Sequence, residues 1–257
     1  MMGESLELTA AILAGGLGTR LRPAVADRPK VLAPVGGRPF VMRLLDQLTR
    51  TAVREVVLLA GYRAGQIRDA LGDAHEGIRL RYSVEEMPLG TAGALRHALP
   101  LLQTPTVLLL NGDSYCDADL AAFTRYHRER SSTASFVLAR VPDTSRFGRV
   151  QVSQDGRVLR FDEKGESGPG WVNAGIYLFL RQRIAALPAA GPLALERDVL
   201  PGWAAEGSVL GFRHAGRFLD IGTPESYAEA EQFFEPAAAR EGEAPAEPHT
   251  EGSAGAR

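Results

Sequence analysis

The chain carries one cysteine, Cys116, among 257 residues, so no internal disulfide can brace it. Its N-terminal stretch lacks the charged segment, apolar segment and cleavage site that together mark a secreted protein. These absences predict a reducing, cytoplasmic setting. Long apolar runs are missing as well: "TVLLL" is of strand length, far below the roughly 20 residues that span a bilayer, so no membrane partner is expected. Neither sign of charge is in excess, with 29 Lys and Arg against 31 Asp and Glu. Without a global basic field, nucleic acid is not an expected partner, and any anion must be gripped locally. Histidine is scarce; His75, His97, His127, His214 and His249 share no short ligand spacing with one another or with Cys116, which argues against zinc.

Hydrophobic residues make up 45% of the chain, enough for one substantial core. Through the first half, strand-like apolar runs alternate with amphipathic segments: "LTAAILA", "FVMRLLDQLTR", "EVVLLA", "AGQIRDALG", "IRLRYS", "TAGALRHALPLL", "PTVLLLNGD", "DLAAFTRYHRER" and "TASFVLARV". Strands buried on both faces read as continuous apolar runs, so this rhythm predicts an α/β fold with a doubly wound, mostly parallel, Rossmann-like sheet. After Val141 the rhythm changes. "FGRVQVSQDGRVLRFDEKG" reads as a hairpin turning at Asp155-Gly156, "NAGIYLFL" as a strand and "LALERDVLPGWAAEG" as a helix. "SVLGFRH" and "RFLDIG" are short strands, and "PESYAEAEQFF" is a closing helix with Pro224 in its first turn. Residues 1–235 read as a single domain. Residues 236–257, rich in Ala, Gly, Glu and Pro and poor in large apolar side chains, read as a disordered tail.

The stretch "AGGLGTRLRP" follows a strand, where glycine lets a backbone approach phosphates with its N–H groups. A P-loop would end in Gly-Lys-Ser/Thr, and here Gly18-Thr19-Arg20 stands instead. A Rossmann loop would run directly into a helix and be followed by an acidic residue ending the second strand; Pro23 interrupts, and "VVLLAGY" ends without a carboxylate. A plain glycine turn with solvated arginines is the remaining local reading. Arg20, Arg22, Arg28 and Lys30 crowd a segment stiffened by Pro23, Pro29 and Pro34, which suits a grip on a triphosphate. Asp113, just past "TVLLLNG", reads on its own as a turn or capping aspartate, but Asp220 in "FLDIG" supplies a second carboxylate at a strand end. Such a pair suits a hard cation with oxygen ligands, magnesium above all. Cys116 has nothing that marks it as a nucleophile.

Gly15-Gly16-Leu17-Gly18-Thr19-Arg20-Leu21 followed by Pro29-Lys30 resembles the signature of the sugar-1-phosphate nucleotidyltransferases. "EEMPLGTAGAL" (85–95), "LLLNGDSY" (108–115), "FGRV" (147–150), "FDEKG" (161–165), "NAGIYLF" (173–179) and "FLDIGTPESY" (218–227) resemble further motifs of that family, in the family's order. The resemblance spans about Leu8 to Phe234. It implies a Mg²⁺-dependent transfer of a nucleoside monophosphate from a triphosphate to a sugar 1-phosphate, with release of pyrophosphate. It implies catalytic roles for Arg20, Lys30 and Asp113, and Asp113 and Asp220 as the metal ligands. The nucleotide would lie against Leu13, Ala14, Gly15, Gly16, Gly18, Thr19, Gly90 and Thr91. The sugar phosphate would lie against Gly148, Glu163, Lys164 and Asn173, in a pocket formed by the hairpin insertions. Taken singly, Lys164 reads as a solvated turn lysine, Glu163 as a surface acid, Asn173 as a turn asparagine and Gly148 as a strand-end glycine.

Within the family, "AVADRPKVLAPVGGRPF" is most similar to guanylyltransferases acting on D-glycero-D-manno-heptose 1-phosphate. Mannose-1-phosphate guanylyltransferase and glucose-1-phosphate thymidylyl- or uridylyltransferase stay open as alternatives, with "LAGG" weighing against uridine. A non-catalytic nucleotide-sugar sensor is the reading from another class. A sensor has no need to keep Arg20, Lys30, Asp113, Lys164 and Asp220 together, and all are present. A homo-oligomer is compatible with this reading. The hexapeptide-repeat β-helix that many family members carry is not found, so acyltransferase activity is not expected.

Overall fold

Successive residues of the first strand face opposite ways, and both ways lead into apolar packing: Ala10 and Ile12 join one buried cluster, Ala11 the other. The structure, a computed structural model, describes residues 8–162, 165–189 and 191–235. β1 (Leu8–Leu13) is followed by the ribbon β2 (Pro34–Val35) and β3 (Arg38–Pro39), α1 (Phe40–Thr49), β4 (Glu55–Ala60), α2 (Ala64–Leu71), β5 (Ala74–His75) and β6 (Ile78–Val84). Then come α3 (Gly90–His97), β7 (Thr106–Asn111), β8 (Ser114–Cys116), α4 (Leu120–Glu129) and β9 (Ala134–Val141). The remainder comprises β10 (Val150–Val152), β11 (Val158–Phe161), β12 (Gly170–Leu180), α5 (Arg181–Ala185), α6 (Leu200–Ala205), β13 (Val209–His214), β14 (Phe218–Asp220), α7 (Pro224–Ala228) and α8 (Ala230–Phe234).

Eight strands form one sheet in the order β13-β9-β12-β7-β1-β4-β6-β5. β1 runs parallel to β4 and β7, β4 to β6, and β13 to β9, so the expected doubly wound, mostly parallel sheet is present. β12 runs antiparallel to both β7 and β9. The chain reaches it from β9 through the hairpin β10–β11 with no crossover helix, and a parallel return would need one. Phe40, Leu44, Leu45 and Leu48 of α1, with Phe123 of α4, cover one face; Leu95 of α3, Ile184 of α5 and Leu200 of α6 cover the other. The expected helix over 193–207 begins as a wide π-turn, Leu195–Val199, ahead of α6, where Pro201 offers no N–H to the ladder. The closing helix divides at Glu229 into α7 and α8; α7 starts at Pro224 behind a capping box of Thr223 and Ser226. Among the described residues no helix is long and apolar enough to cross a membrane. The tail 236–257 lies outside the described residues.

From β1 the chain winds through α1, β4, α2 and β6 to one side, then returns through α3 to β7 on the other side of β1. Connections leaving the C-terminal ends of β1 and β7 therefore part company, and the crevice between them is where open α/β sheets bind ligands.

One buried polar group gives the fold a testable pH dependence. His127 of α4 is 3% exposed; its Nδ1 lies 2.9 Å from Ser135 Oγ, and its Nε2 has no partner. Burial lowers its pKa from 6.5 to about 4. The unfolded chain therefore takes up the proton first, and stability held above pH 6.5 is lost as pH falls through that window toward about 4, by up to about 3 kcal/mol. Thermal melts at pH 7 and pH 5 should show the native midpoint falling more than that of His127→Gln. Equal falls would place the acid sensitivity elsewhere.

Candidate active site

A cleft of about 360 Å³ opens in that crevice. Its walls come from the loop after β1 (Leu13, Ala14, Gly15, Gly16, Leu17, Lys30), the segment after β6 (Glu85, Pro88, Gly90, Thr91) and the segment after β7 (Asn111, Gly112, Asp113). Ala14 N–H donates to the Leu59 carbonyl at 2.8 Å and ties the loop to β4. The N–H groups of Gly15, Gly16, Leu17 and Gly18 enter no backbone hydrogen bond among the described residues, which leaves a row of donors at the cleft mouth. Gly90 opens α3 with φ of +73°, and a Cβ there would sit 2.6 Å from the Leu193 carbonyl oxygen; only glycine fits. Thr91 Oγ1 accepts from Leu195 N–H at 2.7 Å, docking the start of α3 to the segment before α6.

The basic residues of the loop divide between two hollows. Lys30 lines both the cleft and a narrow neighbouring pocket, which Arg22 and Arg28 line with Tyr62. Arg28 is held by its neighbour Asp27 at 2.6 Å. Arg22 lies 5.7 Å from the Tyr62 ring centroid, and Arg63, stacked on that ring at 5.1 Å, donates to the Asp27 carbonyl. Thr19 and Arg20 are exposed on the turn beyond Gly18, outside the cleft lining.

Lys30 and the two strand-end aspartates do come together. Lys30 Nζ lies 2.7 Å from Asp113 Oδ2, with the lysine side chain 12% exposed. β14 pairs with β8 so that Asp220 stands opposite Ser114, and Ile221 N–H donates to the Asp113 carbonyl at 2.9 Å. Burial raises the Asp220 pKa first, and the charge of Asp113 raises it further; Lys30, Gly222 N–H and Arg146 pull it back. Two carboxylates, the charge of Asp113 close enough to disfavour ionisation of Asp220, form a hard, all-oxygen donor set, and a divalent cation of magnesium's chemistry fits it.

Glu85, Glu196, Tyr177 and Asn111 were given no role of their own by the linear pattern, and folding brings them to the cleft and its wall. Glu85 reaches the cleft at the end of β6, its Oε2 accepting from Leu89 N–H at 3.1 Å. Its Oε1 lies 3.0 Å from where a Cβ on Gly15 would stand and 2.8 Å from one on Gly61, so two glycines make the space for this carboxylate. Burial raises its pKa above the usual glutamate value. Glu196, on the π-turn, accepts from Tyr177 Oη at 2.9 Å and from Thr91 Oγ1 at 3.3 Å. Asn173 Nδ2 donates to the same Tyr177 Oη at 2.9 Å, and its Oδ1 accepts from Gly175 N–H at 3.0 Å. The fully buried Tyr177 hydroxyl, its pKa raised by burial and by Glu196, thus links the expected sugar residue Asn173 to the cleft. Asn111 Oδ1 is buried in the cleft wall without a partner. Gly148, with φ of +80°, lies outside the cleft lining, and Glu163 and Lys164 lie outside the described residues. Cys116 is buried, its thiol pushed up to about 12, which removes it as a nucleophile.

Folding also gathers Asp46, His75 and Glu76, a group hidden in the linear spacing. Asp46 is already held by Arg38 at 3.1 Å and His75 at 2.9 Å, which ties the sheet edge to α1.

The pattern of the nucleotidyl transferase family matches residues 9–236. A mannose-1-phosphate guanylyltransferase of Mycobacterium tuberculosis is 35% identical over 225 residues, 86% of this chain and 63% of that one. The chain thus spans less than two thirds of that relative. A D-glycero-alpha-D-manno-heptose 1-phosphate guanylyltransferase of Aneurinibacillus thermoaerophilus is 31% identical over 225 residues, covering 88% of this chain and 97% of that one. Among solved structures, HddC from Yersinia pseudotuberculosis superposes with a TM-score of 0.80 at 32% identity, covering 88% of this chain and 99% of that one. HddC complexed with GMP-PN gives 0.79.

Proposed function

The chain belongs to the nucleotidyl transferase family, and from that premise we propose that it transfers GMP from GTP to a manno-configured sugar 1-phosphate, D-glycero-α-D-manno-heptose 1-phosphate in particular, releasing pyrophosphate. The observation that carries guanine is Glu85. An ionised carboxylate only accepts hydrogen bonds, and guanine alone among the common bases presents an N–H and an NH₂ side by side. The names of the relatives agree in base and in manno configuration.

In the reaction a sugar-phosphate oxygen forms a bond to the α-phosphorus as the bond to the α,β-bridging oxygen breaks. No general base is required, since a phosphate monoester with a second pKa of about 6 is mostly a dianion at neutral pH. The residues must instead bring anions together and hold them in line. Amides of Gly15, Gly16 and Gly18, with Thr19, would face the phosphates, and Leu13, Ala14, Gly90 and Thr91 would edge the base. Lys30 would balance charge at the α-phosphate, and the planar fork of Arg20 would take the outer phosphates. Gly148, Glu163 and Asn173 would line the sugar and Lys164 hold its phosphate. Asp113 and Asp220 would hold Mg²⁺, which when bound neutralises phosphate charge.

A matrix of nucleoside triphosphates against sugar 1-phosphates, read by pyrophosphate release, tests the reading. GTP with the heptose 1-phosphate is expected to lead, at about tenfold or more over GTP with mannose 1-phosphate in kcat/KM, because a site that hydrogen-bonds the extra hydroxyl leaves groups unpaired with mannose. Equal values would reduce the substrate to a manno-configured sugar phosphate. Activity only with UTP or dTTP and glucose 1-phosphate would overturn it.

A further inference from the structure

Each of the two strand-end carboxylates carries one cation from a different part of the chain. Lys30 pairs with Asp113, and Arg146, on the loop between β9 and β10, places Nη2 3.5 Å from Asp220 Oδ1. The same Nη2 donates to Ser226 Oγ at 3.2 Å, and Ser226 is buried in the capping box that starts α7. Arg146 also stacks on Phe147 at 5.3 Å, and Phe147 meets Phe218 of β14 edge-on at 5.4 Å. Its guanidinium is therefore anchored beside Asp220 at two points, yet the side chain stays 45% exposed. Two anions and two cations balance only while no other cation is shared by the carboxylates. A divalent ion on both aspartates would leave two side-chain cations in excess, which anionic substrates can take up.

We propose that Arg146 is a binding residue for the phosphate of the sugar 1-phosphate, parked on Asp220 until metal and substrate arrive. Arg146 stands two residues before Gly148 on the loop between β9 and β10, the loop assigned to the sugar, whereas Lys30 belongs to the loop assigned to the triphosphate. The planar fork of arginine suits a phosphate that must be held in one orientation for attack. This inference rests on the proposed transfer reaction and adds a residue to it.

The test uses the full-length protein and its Arg146→Ala and Arg146→Lys variants. Mn²⁺ binding without substrates, followed by electron paramagnetic resonance, should tighten several-fold in Arg146→Ala, because a competing cation has gone. In steady state with the most active substrate pair, KM for the sugar 1-phosphate should rise about 10- to 100-fold while KM for the triphosphate stays within about twofold. Arg146→Lys should recover part of the sugar KM, which a merely structural arginine would not do, and it keeps the test alive should the alanine variant fail to fold. Unchanged Mn²⁺ affinity would overturn the parking on Asp220, and an unchanged sugar KM would overturn the phosphate contact. Failure of the native protein to release pyrophosphate with any pair would instead defeat the transfer reading itself.

Discussion

Asp220→Asn and Asp113→Asn are each expected to lower pyrophosphate release by about 10³-fold or more at saturating magnesium, since each removes a charge from the donor set without changing shape. Their stabilities should differ, and the difference is the sharper test. Asp220 holds its carboxylate against burial and against Asp113, which is why its pKa is raised. A neutral asparagine relieves both and can still accept from Gly222 N–H; it gives up the attraction of Lys30, which stays paired with Asp113, and of the half-exposed Arg146, whose loss of a partner costs little. The melting temperature of Asp220→Asn should therefore match or exceed that of the native protein. Asp113→Asn strips the pairing anion from Lys30, a side chain only 12% exposed, and should cost about 1–3 kcal/mol. Near-native turnover in either variant would remove that aspartate from the metal, and a lowered melting temperature for Asp220→Asn would refute the strained-carboxylate account.

What the linear pattern reveals follows from the range of the forces involved. Strand β1, its glycine loop and the helix behind it are local, so periodicity and glycine spacing expose them, and the two-faced burial of Val56 and Val57 is written in an unbroken apolar run. The antiparallel course of β12 is a matter of connection, and its eleven residues read as strand in either direction. Glu85 stood in the motif 85–95 without a role of its own, because its meaning depends on Gly15 and Gly61, far away in the chain. Glu196 sat in what read as an ordinary helix; only the π-turn and Tyr177 bring it to the cleft. Arg146 drew no reading from the sequence, because its role depends on β14 placing Asp220 beside it. The four loop cations could be counted, but counting could not foresee that Asp27 and Tyr62 occupy Arg28 and Arg22.

Glu85→Gln should shift the choice of base more than any other single change in the cleft. The side chain keeps its volume between Gly15 and Gly61, and the burial that raises the native carboxyl's pKa no longer works against a charge, so the fold should hold. An amide oxygen accepts where the carboxylate did, but the NH₂ beside it presents a donor to guanine's donors. Losing a charge-assisted hydrogen bond and leaving a donor unpaired should together lower kcat/KM for GTP by about 10²- to 10³-fold. Inosine triphosphate, which keeps N1–H but lacks the exocyclic NH₂, separates the two contacts: the native preference for GTP over ITP should collapse toward unity in the variant. Acid pH should imitate the substitution in the native protein, since the raised pKa brings protonation in above the usual glutamate range; the variant's KM for GTP should lack that rise. Retention of full GTP preference by Glu85→Gln would move base recognition off this carboxylate and onto the backbone amides of the loop after β1.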